Sequence, residues 1–337
     1  MTIAFCFNVK QSTPSLSPKS QQDIEFDSRY VINSIVGIIE QLGHKVLKIE
    51  ADERAFAKLR KARKKIDLVF NIAEGIKGDA RESQIPLFCE MLGIPYTHSS
   101  PTTHAITLNK YYTKLILKAK GVTTPECFLI KNLKFSIPPG ILFPLIAKPN
   151  CEGSSKWIFD KNVVENNGQL RRRAKELITK GVRELLVEEF IDGREFTVGS
   201  VGDQILPIIE QRFDFLPIGF KKIAGYELKW LYEDSLKRLE DAYYCPAKIS
   251  KKMEEEIYQT CLVINSQLNI KDASRIDFRL GKNGKLYFLE VNSLPGMNPN
   301  EKEISYLPLA WRVKGGTYQS LIAEIIKSAL ERYKFQK

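Results

Sequence analysis

The sequence predicts an α/β protein whose first part is a parallel, doubly wound sheet. Strand and helix patterns alternate there, with strands at 3–9, 45–49 and 67–71 and helices at 29–42, 53–63 and 84–92. A βαβαβ order gives a parallel sheet that binds its ligands beyond the carboxyl ends of the strands. Two polar loops, at 8–27 and 71–81, follow such strand ends and are candidates for lining a crevice.

The later part of the chain mixes short strands with longer helices. Helices are predicted at 107–121, 169–179, 251–268 and 318–333, and strands at 127–130, 145–148, 184–190 and 195–201. With 337 residues the chain exceeds one typical domain, so two or three domains are expected.

Two alternating segments near the C-terminus, 274–280 and 286–292, predict a β-hairpin. They are joined through Asn283-Gly284, a strong signal for a two-residue turn. With the turn centred there, Asp277 faces Glu290 and Arg275 faces Asn292. By the period of two, the core face then carries Ile276, Phe278, Leu280, Tyr287, Leu289 and Val291.

The polar face of this hairpin is a candidate metal site. It brings together Asp277, Glu290 and Asn292, flanked by Arg275 and Arg279. Carboxylates directly opposite each other lie about 5 Å apart and repel, so a cation is expected between them. Hard oxygen ligands suit Mg²⁺ or Mn²⁺. The alternative is a solvated sheet face whose arginines neutralise the acids.

Composition narrows the class of partner. The net charge of +11 and the pI of about 9.2 favour anions such as nucleotides, acidic metabolites or nucleic acid. The basic runs at 58–65 and 171–175 lie in helical patterns, and no basic stripe with interleaved aromatics or zinc spacing is present, so nucleic acid is not expected. Six scattered cysteines without a C-x-x-C pair argue against a disulfide or zinc framework. Without a leader pattern or a long apolar run, the sequence predicts a cytoplasmic protein with no membrane partner.

A candidate phosphate-binding turn follows the strand that ends at Lys148. Backbone amides around Gly153, with the hydroxyls of Ser154 and Ser155, can hold phosphate oxygens while Lys148 supplies charge. The chain has no Walker motif, so this is not an ordinary P-loop. Lys110, at a helix start, adds charge where amide dipoles already favour anions. The alternatives are a plain surface turn and a solvated helix lysine.

The acidic segment 188–195 is a candidate nucleoside site. Backbone groups around Ile191 could pair with an adenine edge, and Glu195 could accept hydrogen bonds from ribose hydroxyls. Taken alone, the segment would be an acidic hairpin turn between two apolar strands.

In order along the chain, these motifs resemble those of D-alanine–D-alanine ligases of the ATP-grasp superfamily. The resemblance is carried by 92–97, 109–114, 143–155, 187–199, 245–247, 275–279 and 289–297 and spans nearly the whole chain. It implies a Rossmann-like domain at 1–101, followed by an α+β ATP-grasp fold in two parts. These are a central subdomain at 102–192 and a C-terminal subdomain with the metal site at 193–337.

The resemblance also implies roles for individual residues. ATP would be bound by Lys110, Lys148, Ser154, Ser155, Glu188, Glu189, Ile191 and Glu195. Two Mg²⁺ (or Mn²⁺) ions would be held by Asp277, Glu290 and Asn292. The catalytic set would be Arg275, which stabilises the acyl-phosphate and tetrahedral intermediates, together with Ser154, Lys229 of the mobile loop and the amine-binding Glu25.

The amino-acid end departs from the family pattern. Glu74 stands where the ligases carry a histidine, and Trp230 stands where they carry a tyrosine; an indole can donate a hydrogen bond but cannot accept one. Near Asn300 and Glu301, a carboxamide and an acid replace the serine that holds the second substrate's carboxylate. The residues predicted to bind the nucleotide therefore match the family pattern, whereas those predicted to bind the amino-acid substrates differ from it.

The implied activity is an ATP-dependent ligation of a small-molecule carboxylate to an amine. The carboxylate becomes an acyl phosphate, the amine attacks it, and ADP and phosphate leave; such chemistry depends on positioning and charge neutralisation. We expect altered amino-acid specificity, and the family suggests a homodimer. The alternatives are a genuine D-alanine–D-alanine ligase, a ligase that adds an amino acid to a larger metabolite or peptide, and a nucleotide-binding protein without catalysis.

Overall fold

The computed structural model describes residues 1–11, 23–217, 219–228, 236 and 238–334. Within these ranges the strands form three sheets, one parallel and two antiparallel, which confirms the predicted α/β class. None of the helices in these ranges combines the length and the apolar character that a membrane span requires.

The first sheet is parallel, with strand order β2-β1-β3. Its strands are β1 (Thr2–Phe7), β2 (Lys45–Glu50) and β3 (Leu68–Asn71), and its helices are α1 (Arg29–Gln41), α2 (Ala55–Ala62) and α3 (Gln84–Leu92). The Ser28 side chain accepts a hydrogen bond from the backbone of Val31 and so caps α1, and Gly93, at φ 63°, ends α3. These elements lie where the periodicity predicted them.

The single helix predicted at 107–121 is in fact two helices, α4 (Pro101–Leu108) and α5 (Lys110–Ala119). Asn109 lies between them in an extended conformation, and its side chain accepts a hydrogen bond from the Tyr112 amide at 3.0 Å. Asparagine favours such caps because its side chain replaces a missing backbone partner. Lys110 is therefore the first residue of α5.

The second sheet is antiparallel, with strand order β4-β7-β5-β6. Its strands are β4 (Cys127–Ile130), β5 (Leu145–Pro149), β6 (Val163–Val164) and β7 (Leu185–Glu189), and α6 (Asn167–Thr179) covers it. Leu170, Ala174 and Leu177 of α6 are buried against the apolar face of β5 and β7.

The third sheet has six strands, in the order β11-β10-β8-β12-β13 with β9 paired to β8. They are β8 (Gly193–Val201), β9 (Gln204–Ile205), β10 (Ile209–Gln211), β11 (Tyr243–Tyr244), β12 (Ala273–Gly281) and β13 (Leu286–Asn292). The helices of this part are α7 (Lys251–Gln267), α8 (Tyr306–Val313) and α9 (Tyr318–Lys334). The short strands and α8 were not predicted.

The β12–β13 hairpin has the predicted pairs at its open end and different pairs near its turn. Asp277 pairs with Glu290, but a bulge follows, and Phe278 pairs with Phe288. The turn is also one residue longer than predicted, since the Gly281 amide bonds the Lys285 carbonyl. The longer turn and the bulge each shift the pairing by one residue, in opposite directions, so the predicted pairs return beyond the bulge. As a correction, Leu286 and Phe288 take the core face that was predicted for Tyr287 and Leu289.

The last helices of the chain pack on the first sheet. Buried residues of α8 and α9, including Trp311, Ile322 and Ile325, share one core with β1 and α1. Arg332 of α9 donates hydrogen bonds to the carbonyls of Tyr96 and His98, at 2.5 and 2.8 Å. The beginning and the end of the chain thus enclose a common core beside the third sheet.

Candidate active site

A cleft of about 710 Å³ lies between the second and third sheets. Residues 190–192 cross from β7 in one sheet to β8 in the other, so the segment is not the hairpin turn of the alternative interpretation. The cleft has apolar walls from Ile146, Ile158, Ile223 and Leu289 and a charged floor. This combination suits a ligand with a flat apolar ring and a charged tail.

Most of the predicted nucleotide residues line this cleft: Lys148, Ser155, Glu188, Glu189, Ile191 and Glu195. Ser154 lines an adjoining, wider cleft. Lys110 lies beside the metal face, where its Nζ donates to the Glu152 carbonyl and lies 3.5 Å from Glu290 Oε2.

Two buried lysines share one buried carboxylate at the base of the cleft. Lys148 Nζ lies 2.6 Å from Glu188 Oε1, and Lys114 Nζ lies 3.0 Å from Glu188 Oε2. Burial alone would raise the pKa of Glu188, but the two ammonium groups outweigh it and hold the pKa below its usual value. Burial lowers the pKa of Lys114, whereas for Lys148 the nearby carboxylates overcome burial and raise the pKa.

Arg279 fixes the ribose-side acid that the sequence predicted. Its Nη2 donates to Glu195 Oε2, and its Nη1 donates to the carbonyls of Ile191 and Lys222, at 3.3 and 2.8 Å. Arg279 was noted on the hairpin's polar face but was given no site role. One guanidinium therefore holds both the acid and the backbone of the crossover segment in place.

The metal face lies at the opening of the hairpin. Arg275 Nη2 lies 3.2 Å from Asp277 Oδ2 and 4.0 Å from Glu290 Oε1, and the Thr197 hydroxyl donates to Asp277 Oδ1 at 2.8 Å. Burial lowers the pKa of Arg275, but the carboxylates of Asp277 and Glu290 more than offset this and raise it. The protein's own cations therefore offset the repulsion between the two acids.

The donor set on this face fits a divalent cation. Within the described ranges no three His, Cys, Asp or Glu side chains gather closely enough to hold a metal. The predicted set is two carboxylates and the Asn292 amide oxygen, which accepts a hydrogen bond from the Leu294 amide at 3.0 Å. Hard oxygen donors of this kind suit Mg²⁺ when substrate oxygens complete the shell.

Arg275 and Tyr306 line both the nucleotide cleft and the wider cleft beside it. The Arg275 guanidinium lies 5.9 Å from the centre of the Tyr306 ring, at the start of α8. The wider cleft also carries Glu25 and Ser154. A group that bridges the two clefts would therefore meet a fixed positive charge at Arg275.

Glu25 is held by two partners rather than exposed to solvent. Arg81 Nη2 donates to its two carboxylate oxygens at 2.8 and 2.7 Å, and the Gly153 amide donates to Oε1. Arg81 Nη1 also donates to the Cys151 carbonyl at 2.8 Å. The predicted amine-binding acid is thus linked directly to the predicted phosphate-binding turn.

Arg81 lies in an acidic cluster, defined here as Glu25, Asp27, Glu74 and Glu82, in which Asp27 acts on Glu74 and the other three act on Arg81; Arg81 Nη2 also lies 3.4 Å from Glu152 Oε2. Burial raises the pKa of Glu82 and that of Asp27 to about 7 each. Burial, followed by the charges of Glu82 and Glu25, raises the pKa of Glu74 well above its usual value, while Arg81 opposes the shift. The cluster therefore favours a bound proton or an additional cation near neutral pH.

The other substrate-side predictions have mixed outcomes. Lys229 and Trp230 lie outside the described residues. The Glu301 side chain is 74% exposed, and its Oε1 lies 3.7 Å from Arg312 Nε. Ser305, immediately before α8, lines the cleft that contains Arg275 and donates to the Gly296 carbonyl at 3.3 Å. Glu301 lines the same cleft, so both an acid and a serine are present there, and the expected replacement of the family's serine stays a prediction.

The sequence also missed Leu289 and Tyr306, which line the nucleotide cleft, and Lys114, which supports it through Glu188. Lys114 had a detectable signal, because it follows Lys110 by one helical turn. Leu289 was assigned to the core because the bulge was not foreseen. Tyr306 begins a helix that was not predicted.

Comparison with known proteins gives a consistent result. The family model described as D-ala D-ala ligase C-terminus matches residues 119–327. D-alanine–D-alanine ligase from Aquifex aeolicus is 35% identical over 300 residues, which covers 87% of this chain and 92% of the relative. An uncharacterized protein, y4sG, from Sinorhizobium fredii is 31% identical over 314 residues, with 90% and 88% coverage.

Among solved structures, D-alanine–D-alanine ligase from Bacillus anthracis complexed with ATP matches with a TM-score of 0.74. The match covers both chains completely at 22% sequence identity. At that identity the similarity establishes the fold.

Proposed function

The chain belongs to the D-alanine–D-alanine ligase family of ATP-grasp enzymes, ADP-forming carbon–nitrogen ligases, and on that premise we propose how its own residues divide the work. ATP binds in the cleft between the second and third sheets. The carboxylate and amine substrates bind in the wider cleft. The observation that carries this proposal is the position of Arg275, which lines both clefts.

The nucleotide is held by charge at one end and by an apolar slot at the other. Ile146, Ile158 and Leu289 enclose the adenine ring, with backbone groups near Ile191 at its edge and Glu195 at the ribose. Lys110, Lys148 and the turn that carries Ser154 and Ser155 neutralise the phosphates. Two divalent cations held by Asp277, Glu290 and Asn292 would supply further neutralisation of phosphate charge.

Arg275 acts on the groups that react. As the carboxylate is phosphorylated and then attacked by the amine, negative charge develops on its oxygens at the junction of the clefts. A partly buried guanidinium held by Asp277 stabilises that charge without reorganisation. Phosphoryl transfer of this type depends chiefly on such positioning and neutralisation.

We further propose that the amino-acid specificity differs from that of a dedicated D-alanine–D-alanine ligase. The support is the acidic cluster, three of whose carboxylates, Glu25, Glu74 and Glu82, act on Arg81, with Glu74 at the position of the ligases' histidine. A like-charge group brought close to this cluster is unfavourable in a water-poor site. A substrate with a second positive charge is favoured instead.

ADP release, measured with paired substrates, tests both parts of the proposal. With ATP and Mg²⁺, we expect D-alanine alone to give kcat/KM below roughly 10⁴ M⁻¹s⁻¹, a modest value for a dedicated enzyme. D-alaninamide and D-lysine, offered as second substrates, should be more efficient. High efficiency with D-alanine alone would make the chain a divergent D-alanine–D-alanine ligase.

The variant Glu74→His provides the matched comparison. It restores the family's residue at the acidic cluster and should shift the preference from D-lysine towards D-alanine by about tenfold. An unchanged ratio of the two efficiencies would remove Glu74 from the explanation.

The expected homodimer and the boundaries after residues 101 and 192 are also proposals. Light scattering of the purified chain tests the dimer. Limited proteolysis tests the boundaries, since cleavage should concentrate between compact units.

A further inference from the structure

Lys114 is fully buried, although a lysine ammonium is costly to remove from water. It lies on α5 with 1% of its surface exposed, deeper than Lys148 with 6%. In the proposed function Lys148 contacts phosphate, but Lys114 does not line the nucleotide cleft. Its burial therefore calls for an explanation beyond direct ligand binding.

The partners of Lys114 connect the two sides of the cleft. Its Nζ lies 3.0 Å from Glu188 Oε2 on β7 and donates to the Phe288 carbonyl on β13 at 3.2 Å. Among the strands of the described residues, β13 lies at the edge of its sheet; there the Phe288 amide donates to the Thr123 carbonyl at 2.9 Å, and the Phe288 carbonyl accepts from Lys114. The same ammonium lies 5.3 Å from the centre of the Phe288 ring.

The charges within the group of Lys114, Lys148 and Glu188 do not cancel, although the carboxylates of Glu290 and Glu195 also attract Lys148. Lys114 and Lys148 carry two positive charges, and Glu188 between them carries one negative charge. If Lys114 were removed, Glu188 and Lys148 would form a neutral buried pair. Because the attraction within such a pair is strong in a low-dielectric site, Lys148 would then be held by Glu188 in competition with phosphate.

We propose that Lys114 is a positioning residue that neutralises Glu188 so that the charge of Lys148 remains available to the nucleotide phosphates. This inference rests on the proposed function, because it assumes that Lys148 contacts ATP. According to this proposal, Lys114 affects the affinity for the nucleotide only as long as Glu188 carries its negative charge.

Calorimetry with the Mg²⁺ complex of a non-hydrolysable ATP analogue tests this dependence. Lys114→Met should raise the Kd about tenfold in the wild-type chain and less than twofold in the Glu188→Gln background. The comparison of Glu188→Gln with the double variant Lys114→Met/Glu188→Gln is needed because Glu188→Gln can itself alter adenine binding. That effect is present in both proteins and therefore cancels. Equal losses in the two backgrounds would overturn the proposal.

Lys114→Gln provides a second variant if Lys114→Met folds poorly. It removes the charge but keeps a hydrogen-bond donor for the Phe288 carbonyl, and it should reproduce the same pattern of Kd values. Lys118→Gln is the matched control on the same helix, since the Lys118 side chain is 53% exposed and pairs with Glu126. It should leave the Kd unchanged.

Steady-state kinetics separates positioning from a loosened fold. The KM for ATP should rise in the Lys114 variants, whereas the KM values of the carboxylate and amine substrates should stay at their wild-type values. A rise in all three would contradict the specific role. Failure of the wild-type chain to bind the analogue would instead overturn the proposed function.

Discussion

At the nucleotide cleft each buried carboxylate lies close to a cation of the chain, whereas the acidic cluster gathers several carboxylates around Arg81. Glu188 pairs with two lysines, Glu195 with Arg279 and Asp277 with Arg275. In the acidic cluster, Arg81 binds Glu25, while burial raises the pKa of Glu82 and of Asp27 to about 7. In the first region each of these acids has a cationic partner before any ligand binds, whereas in the second region burial raises the pKa values of acids for which the described residues show no such pairing.

The two regions differ because the cationic partners of their acids come from different parts of the fold. The acids of the third sheet lie on strands whose polar faces also carry their partners, as with Glu195 on β8 and Arg279 on β12, whereas Glu188 on β7 has one lysine partner on β5 and one on α5. The acidic cluster is assembled from separate loops, at 23–27 and 74–82, where no strand ladder places an opposite charge beside each acid. The charges of the nucleotide cleft are therefore fixed by its paired strands and by α5. In the acidic cluster, a single substitution can change the charge of the substrate that is preferred.

The largest expected effect comes from the metal face. Asp277→Asn or Glu290→Gln should abolish measurable ADP release, a loss of at least about 10²-fold, because phosphate charge is no longer neutralised. The fold should be nearly unaffected, since one of two opposed carboxylates is removed. Steady-state ADP release with Mg²⁺ is the measurement.

Asp203→Asn, at an exposed turn, is the control for these two variants. It should retain wild-type turnover. If Asp277→Asn or Glu290→Gln turned over ATP as the wild type does, the cleft's paired carboxylates would have a purely structural role.

A smaller effect is expected at Lys148. Lys148→Ala should weaken the binding of a non-hydrolysable ATP analogue by about 1.5–3 kcal/mol, the usual value of a charge-assisted contact. Calorimetry gives the affinity directly. Lys131→Ala, whose side chain is 61% exposed, should bind the analogue like the wild type. Equal affinity in the wild type and Lys148→Ala would place Lys148 outside the phosphate site.

The smallest effect concerns the acidic cluster and the stability of the protein. The pKa of Glu82 is raised in the folded state to about 7, from a usual 4.5. Because the folded state binds the proton more tightly, this group's contribution to stability is present below about pH 4.5 and is lost as the pH rises to about 7. Glu82→Gln should therefore stabilise the protein by about 1–3 kcal/mol at pH 8 and by much less at pH 5.

Thermal unfolding of the wild type and Glu82→Gln between pH 5 and pH 8 measures this difference. Taking the difference between the two proteins removes the titration of groups distant from Glu82. His104 Nδ1 lies 3.9 Å from Glu82 Oε2, but burial lowers the pKa of His104 to about 4, below this pH range. A Tm difference that did not grow with pH would mean that Glu82 is ionised and compensated, as the acids of the cleft are.

How far the sequence could predict this site depends on how local each signal is. Asp277 and Glu290 were paired correctly because both lie on one hairpin, yet the turn was one residue too short and the bulge was absent from the prediction. The errors cancelled at these residues and remained between the turn and the bulge, where Leu289, for example, lines the cleft instead of the core. A bulge leaves no clear mark on an alternating sequence.

Contacts between segments that are far apart in the chain could not be predicted from the sequence. The link from Arg81 to Glu25 joins residues 56 positions apart, and that from Lys114 to the Phe288 carbonyl joins residues 174 apart. No helical or strand period in the sequence indicates either contact, because both contacts depend on how the sheets pack. The family resemblance supplied the nucleotide residues, but the partners that set their charge came only from the structure.

The core shared by α1, α8 and α9 has a consequence for the order of events during synthesis. Residues of the first sheet leave the ribosome well before α9, but Ile3, Phe5 and Ile35 are buried together with Ile322 and Ile325 of that helix. Since synthesis runs from the N-terminus, that face of the sheet stays uncovered until α9 has also been made. The first hundred residues therefore depend on α9 for part of their core, and a fragment ending near residue 101 should expose an apolar surface that promotes aggregation.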